Sequence, residues 1–269
     1  MRSSEINETI FGITQRNNLM ACGSFIPSGQ NVLLLFENDI LVASQDFFFP
    51  IFQIEFAEDN LLFVASNDVS IYEYNNKELI LKQSLKPKLY FDGIIQFYQK
   101  DKWAVVLSGD GHLTVWENYI DDSDKMSGVT GVKQICFYEN NLYLLREKEK
   151  YIQIQQCNKQ LAVEEEMEFK YSLPDKFCLF EQSVIFLFEY AIIQISMKPQ
   201  VLGEKVIFKE EFNNIMVENG ILYCVGDKKC KAIDLSSRQL KMDIQCDIEA
   251  ENAVVQPGGK LILCGSYGI

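Results

Sequence analysis

Apolar residues along this chain come in short runs separated by clusters of polar turn formers, and one unit recurs from end to end. The unit is a polar turn, a short apolar strand, a second polar turn and a strand of alternating character. Its first copy runs from Pro27-Ser28-Gly29 through residues 32–36 and Glu37-Asn38-Asp39 to residues 40–43. The second has 61–65, Ser66-Asn67-Asp68 and 69–74; the third has 103–107, Gly109-Asp110-Gly111 and 113–116. The fourth has 142–145, a charged turn over 146–150 and 151–154; the fifth has 184–188, Glu189-Tyr190 and 191–195. The sixth has 221–225, Gly226-Asp227-Lys228 and 230–235, and a seventh begins with Pro257-Gly258-Gly259 and 261–264.

First turns at 29, 59, 101, 140, 182, 219 and 258 are separated by 30, 42, 39, 42, 37 and 39 residues. The mean of about 38 is close to the ~40–45 residues of one four-stranded propeller blade. The strands are rich in Val, Ile, Phe and Tyr, and alternation by two marks strand rather than helix. Asp-Gly and Asn-Asp turns supply the backbone conformations that hairpins need. An apolar strand before each first turn (51–56, 94–98, 132–138) and another after the alternating one (79–83, 160–166) bring the unit to four strands. The expected fold is therefore all-β, a seven-bladed β-propeller occupying residues 1–269 as one domain. Blades start near 19, 51, 93, 132, 176, 212 and 249. Only two strands are visible in the seventh, so it is incomplete or closed by a strand from residues 5–13, since a ring must pair its last blade to its first to lose its edges.

The run Ser108-Gly109-Asp110-Gly111-His112-Leu113-Thr114-Val115-Trp116 resembles the turn and third strand of a WD repeat, with Trp116-Glu117 standing where that family ends in Trp-Asp. Gly265-Ser266-Tyr267 resembles the turn entering the same strand. Other blades carry Tyr74, Gln155, Ser196 or Asp234 in place of the terminal Trp. The family's Asp-His-Ser-Trp hydrogen-bond network is not expected, because the single histidine sits in a turn. The resemblance implies a WD-repeat β-propeller that acts as a non-catalytic scaffold within a larger complex. The same Ser-Gly-Asp-Gly-x-Leu…Trp-Glu run is similar to one in the non-catalytic subunit of the tRNA guanine-N7 methyltransferase, which implies, as an alternative, an accessory subunit of an RNA-modifying enzyme. A coat or nuclear-pore type propeller completed by a partner's strand is a third reading.

Composition changes little in this picture. A hydrophobic content of 48% and 12% aromatics provide for a core and exclude disorder for the bulk of the chain. A net charge of −13 argues against nucleic-acid binding over the whole surface, which depends on clustered Lys and Arg. Local basic turns at 82–88, 148–150 and Lys228-Lys229-Lys231 are the places where RNA or an acidic partner could be held. The eight cysteines include no C-x-x-C pair, and with one histidine no zinc spacing exists, so neither metal nor cofactor is expected. His112 lacks a second member for acid–base work, and no nucleophile elbow or phosphate loop occurs; an esterase-type propeller is the weakest reading. The acidic runs at 164–168 and 121–124 read as solvated edge and loop. No signal peptide or membrane span is visible, which places the chain in the cytoplasm or nucleus. If rigid blades present variable loops, the turns between second and third strands are the expected partner-binding positions. They contain Asp68, Asp110, His112, Lys148, Tyr190, Lys228 and Tyr267.

Overall fold

The computed structural model describes residues 9–26, 30–57, 60–87, 94–120, 124–126, 129–197, 203–255 and 261–266. Every described element is a strand. The chain forms two compact units, residues 1–87 with 245–269, and residues 88–244.

In the first unit, β1 (Thr9–Arg16), β2 (Leu19–Ile26), β3 (Gln30–Glu37) and β4 (Ile40–Phe47) make an antiparallel sheet in chain order. A second sheet follows, of β5 (Gln53–Phe56), β6 (Leu61–Ala65), β7 (Val69–Asn75) and β8 (Glu78–Leu85). In the second unit the third sheet has β9 (Ile94–Lys100), β10 (Trp103–Ser108), β11 (Leu113–Trp116) and β12 (Asp124–Met126). The fourth has β13 (Val132–Tyr138), β14 (Asn141–Glu147), β15 (Ile152–Cys157) and β16 (Val163–Phe169). The fifth has β17 (Lys176–Phe180), β18 (Ser183–Phe188), β19 (Ala191–Ser196) and β20 (Glu204–Phe208). The sixth is built from β21 (Asn214–Glu218), β22 (Ile221–Asp234), β23 (Leu240–Val255) and β24 (Leu261–Ser266), its residues from Gln245 on belonging to the first unit.

Among the described residues six four-stranded sheets thus stand where seven blades were expected, and the sixth explains the difference. β22 has 14 residues, which would reach about 46 Å if straight. Yet the Leu235 amide donates to the Gly220 carbonyl at 2.9 Å, so the strand folds back on itself, with Lys228 at φ 52° in the reversal. Its second half lies beside the start of β23, where Lys231 Nζ is 3.6 Å from Asp243. The end of β23 pairs instead with β24, Glu249 to Ser266 through Val255 to Leu261. The sixth sheet therefore holds one complete four-strand meander followed by a two-stranded hairpin. Among the described residues the seventh repeat exists as that hairpin and not as a four-stranded sheet. Its expected turn at 257–259 lies outside the described residues.

The first repeat is also offset from the sequence reading. β1 pairs with β2 along its length, Ile13 opposite Cys22, and is the first strand of the first sheet, which begins at Thr9 and not near Leu19. One backbone bond marks equivalent places in five sheets: Asn38 to Asn18, Tyr74 to Asn60, Tyr119 to Lys102, Met197 to Gln182 and Leu235 to Gly220. The first turn of the first unit is therefore Asn17-Asn18; the expected turn at 27–29 lies outside the described residues. Left-handed residues at these turns (Asn17, Asn60, Asp101, Glu139, Glu181, Asn219) recur at steps of 43, 41, 38, 42 and 38. The anomalous step of 30 disappears. A two-residue hairpin needs positive φ, and Asn and Asp tolerate it best among residues with a Cβ.

Burial follows from layering. Every residue of β10 and β11 is buried. Trp103, Val105, Leu107, Leu113 and Val115 pack on Val132, Ile135, Leu142 and Leu144 of the fourth sheet. Tyr143, Leu145, Ile152 and Ile154 pack in turn on Phe177, Leu179, Val184 and Phe186 of the fifth. In the first unit Leu33 and Leu35 meet Ile54, Leu62 and Val64 in the same manner. Outer strands alternate or are polar, as in β16, whose Glu164, Glu165, Glu166 and Glu168 are exposed. Charges there discourage pairing with another chain.

Candidate interaction surface

Within the second unit, first-strand ends reach across to the next sheet's first turn. Lys100 Nζ donates to the Glu139 carbonyl at 2.7 Å and to Asn140 Oδ1 at 2.9 Å, and the Glu181 amide donates to Tyr138 Oη at 2.8 Å. These contacts gather the first turns at one end of the unit. Because strands alternate in direction, the turns between second and third strands lie at the other end. Asp110 and His112, Lys148, Tyr190 and Lys228 occupy those turns in four successive sheets. In the first unit, Asp68 occupies the equivalent turn between β6 and β7. Tyr267 lies outside the described residues.

The Asp110 turn is the most ordered of them by hydrogen bonding. Ser108 Oγ donates to Asp110 Oδ1, and the His112 amide reaches the same oxygen at 3.2 Å. Asp110 Oδ2 is 2.9 Å from His112 Nδ1. Gly111, at φ 83°, bonds the Ser108 carbonyl and accepts from the Val132 amide at 3.1 Å; a Cβ there would stand 2.8 Å from the Val132 oxygen. The Asp68 turn repeats the design, with Ser70 and Ser84 hydroxyls donating to its carboxylate. Hydrogen bonding from Ser108, then from His112, holds the Asp110 carboxyl below the usual carboxylate range.

A group whose pKa is depressed on folding adds stability above its unfolded value and loses it as pH falls through the folded one. Asp110→Asn is therefore expected to lower the melting temperature at neutral pH. The gap from the parent should close on acidification below pH ~4, where the unfolded carboxyl is itself protonated. Thermal melts of both proteins across that range check this; a gap constant with pH would show that the carboxylate's charge plays no part.

Ser108, Asp110 and His112 do not form a nucleophilic triad. In such a triad the imidazole stands between hydroxyl and carboxylate and takes the proton. Here the carboxylate stands between the other two, and Ser108 Oγ also lies 3.0 Å from the His112 carbonyl. Five of the thiols are held protonated by burial. Burial pushes Cys136 and Cys264 up to about 12 and Cys157 up to about 11, and raises Cys178 and Cys224 as well. Among the described residues no group of His, Cys, Asp and Glu is arranged to hold a metal ion.

The basic turns divide. Lys229 and Lys231 both pair with Glu210, at 3.5 Å and 2.6 Å, and sit over the rings of Phe212 and Phe208. Lys82 pairs with Glu73 at 2.9 Å. Lys148 and Lys228 are exposed, with no acidic partner among the described residues. Tyr190 is 60% exposed, enough to serve as an aromatic anchor. After β4, Phe48 is fully exposed and Phe49 and Phe52 are half-exposed, on either side of Pro50, which cannot continue the ladder.

No protein-family model matches the chain, and no curated protein is similar to it in sequence at a significant level. Solved structures are similar in fold. Sqt1 of Saccharomyces cerevisiae, a WD-repeat protein, aligns over 97% of this chain and 94% of its own, with a TM-score of 0.70 and 9% identity. The computationally designed protein Ika8 aligns over 97% and 95%, with a TM-score of 0.64 and 11% identity. The fold is an all-β, β-propeller arrangement. At these identities the likeness extends to the fold alone.

Proposed function

We propose that this chain is a propeller of the WD-repeat type that works as a non-catalytic scaffold in a larger intracellular complex, cytoplasmic or nuclear. It binds a protein partner through the turns between second and third strands. The carrying observation is that Asp110, His112, Lys148, Tyr190 and Lys228 stand at one end of four successive sheets whose middle strands are buried. Rigid strands displaying chemically mixed turns suit recognition, since little order must be gained on binding. Fold likeness to Sqt1 supports the same reading by analogy. The accessory-subunit alternative draws on one observation, the ordered Ser108–Asp110 turn ahead of Trp116.

Affinity capture from the native source tests this, with the parent set against a Lys148→Glu, Tyr190→Ala, Lys228→Glu variant. These exposed positions leave the core intact. The expected result is a stoichiometric protein partner for the parent and recovery lower by 10-fold or more for the variant, the scale of one or two lost anchors. A co-purifying methyltransferase would select the accessory reading. Equal recovery by both proteins, or hydrolytic turnover by the purified chain, would overturn the proposal.

A further inference from the structure

We propose that a groove between the fifth and sixth sheets docks an extended acidic segment of a partner protein. Lys205 and Arg238 take its carboxylates, and Val206, Ile207 and Ile233 take its aliphatic side chains. The groove has a volume of about 500 Å³ and is lined by those five residues. It lies along the fourth strand of the fifth sheet and the turn between third and fourth strands of the sixth. It therefore opens away from the turns discussed above and stands whether or not they bind.

Two cations converge there by construction. In the ladder of β19 and β20, Gln194 is directly opposite Lys205, so both project from the same face of the sheet. The Arg238 guanidinium donates to Gln194 Oε1 from the sixth sheet, which carries it to the same spot. Gln194 is buried, so this bond anchors the arginine. The turn holding Arg238 is capped from within: Asp234 Oδ1 accepts from the Ser236 and Ser237 amides, and the Arg238 amide donates to the Asp234 carbonyl. Arg238 sits at φ 63°, a conformation that favours glycine. A long cationic side chain stands where turn geometry would choose none.

Neither cation is neutralised locally. Glu204 accepts from Tyr171 Oη at 2.7 Å, and Asp234 faces Lys241 at 3.9 Å. No carboxylate among the described residues pairs with Lys205 or Arg238. In a chain of net charge −13, an unneutralised cation pair over an apolar floor is a local reversal of sign. That combination selects acidic and aliphatic groups together. β20 pairs only with β19 among the described residues, so its outer edge leaves backbone groups for an extended segment. Such a segment alternates its side chains by two, which lets carboxylates and aliphatic groups engage the groove along one strand.

Fluorescence anisotropy with a fluorescein-labelled octapeptide alternating leucine and glutamate tests the proposal. Lys205→Gln alters an exposed side chain, and Arg238→Gly suits the left-handed turn, so both variants are expected to fold, with thermal melts as the check. The expected result is saturable binding that weakens with added salt, by about 10-fold for either variant and beyond detection for both together. A leucine–lysine octapeptide and a single-stranded uridine oligonucleotide should not bind. Failure of the leucine–glutamate peptide to bind, indifference to both substitutions, or equal binding of either control would overturn it.

Discussion

Trp116→Ala is expected to destabilise the protein by about 3–5 kcal/mol, the cost of emptying a fully buried tryptophan site. Trp116 has no exposed surface, closes β11 opposite Ala104, and pairs on its other side with Asp124 of β12. Strands on both sides hold the backbone, so the cavity cannot collapse readily. At about 2–4 °C per kcal/mol for a protein of this class, the melting temperature should fall on the order of 10 °C. Trp116→Phe makes the argument specific. Trp116 Nε1 has no hydrogen-bond partner among the described residues, unlike the bonded tryptophan of the WD network. Phenylalanine therefore gives up volume and no hydrogen bond, and should cost about 1–2 kcal/mol. If phenylalanine is as damaging as alanine, Nε1 has a partner and the network survives in altered form. Thermal melts of the three proteins decide it.

Gly265→Ala should cost about 3 kcal/mol, near the upper end for overpacking a closed site, despite adding one methyl group. Gly265 lies in β24 opposite Ala250, beside a register shift between Ala250 and Asn252. An added Cβ would fall on the Glu249 carbonyl oxygen, 2.8 Å from its carbon and 3.0 Å from the Ala250 Cα. All three are backbone atoms, which cannot rotate aside as a side chain would. Relief requires β24 to part from β23, and the hairpin that represents the seventh repeat is the element lost. Gly203→Ala is the control: nothing lies within 4 Å of a Cβ there, and the expected change is within about 0.5 kcal/mol. Similar melting temperatures for the two variants would show that the hairpin adds nothing to stability.

The repeat was legible because its determinants are local. Middle strands such as 103–107 and 184–188 are continuous apolar runs, and residues 103–107 and 184–187 proved to be buried. Hairpin turns announce themselves through Asn, Asp and Gly, and Asn38, Asn60, Asp101, Gly111 and Asn219 carry positive φ in the structure, whereas in other turns Glu139, Glu181 and Lys228 do. The errors arose where one local signal serves two roles. The sequence reading took Pro27-Ser28-Gly29 as the first turn, and only the bond from Asn38 to Asn18 shows that Asn17-Asn18 is the turn equivalent to Asn60 and Gln182. The turn residues from Asp68 to Lys228 were legible as positions, because turn sequence determines where a chain reverses. Their states were not: Lys229 is neutralised by Glu210, nineteen residues earlier, whereas Lys228 beside it is free of acidic partners among the described residues.

By itself, the sequence determined an all-β repeat of about 40 residues with four strands per unit, since periodicity and turn chemistry act over a few neighbouring residues. Tertiary structure alone decided that, among the described residues, four-stranded sheets number six and the last repeat is a hairpin. Strand pairing is a contest between edges, and no single strand carries its outcome. Tertiary structure likewise decided that Lys205 and Arg238, 33 residues apart, share one groove. The reason is physical: Gln194 joins them through a ladder and an inter-sheet hydrogen bond, and neither exists until the sheets have packed.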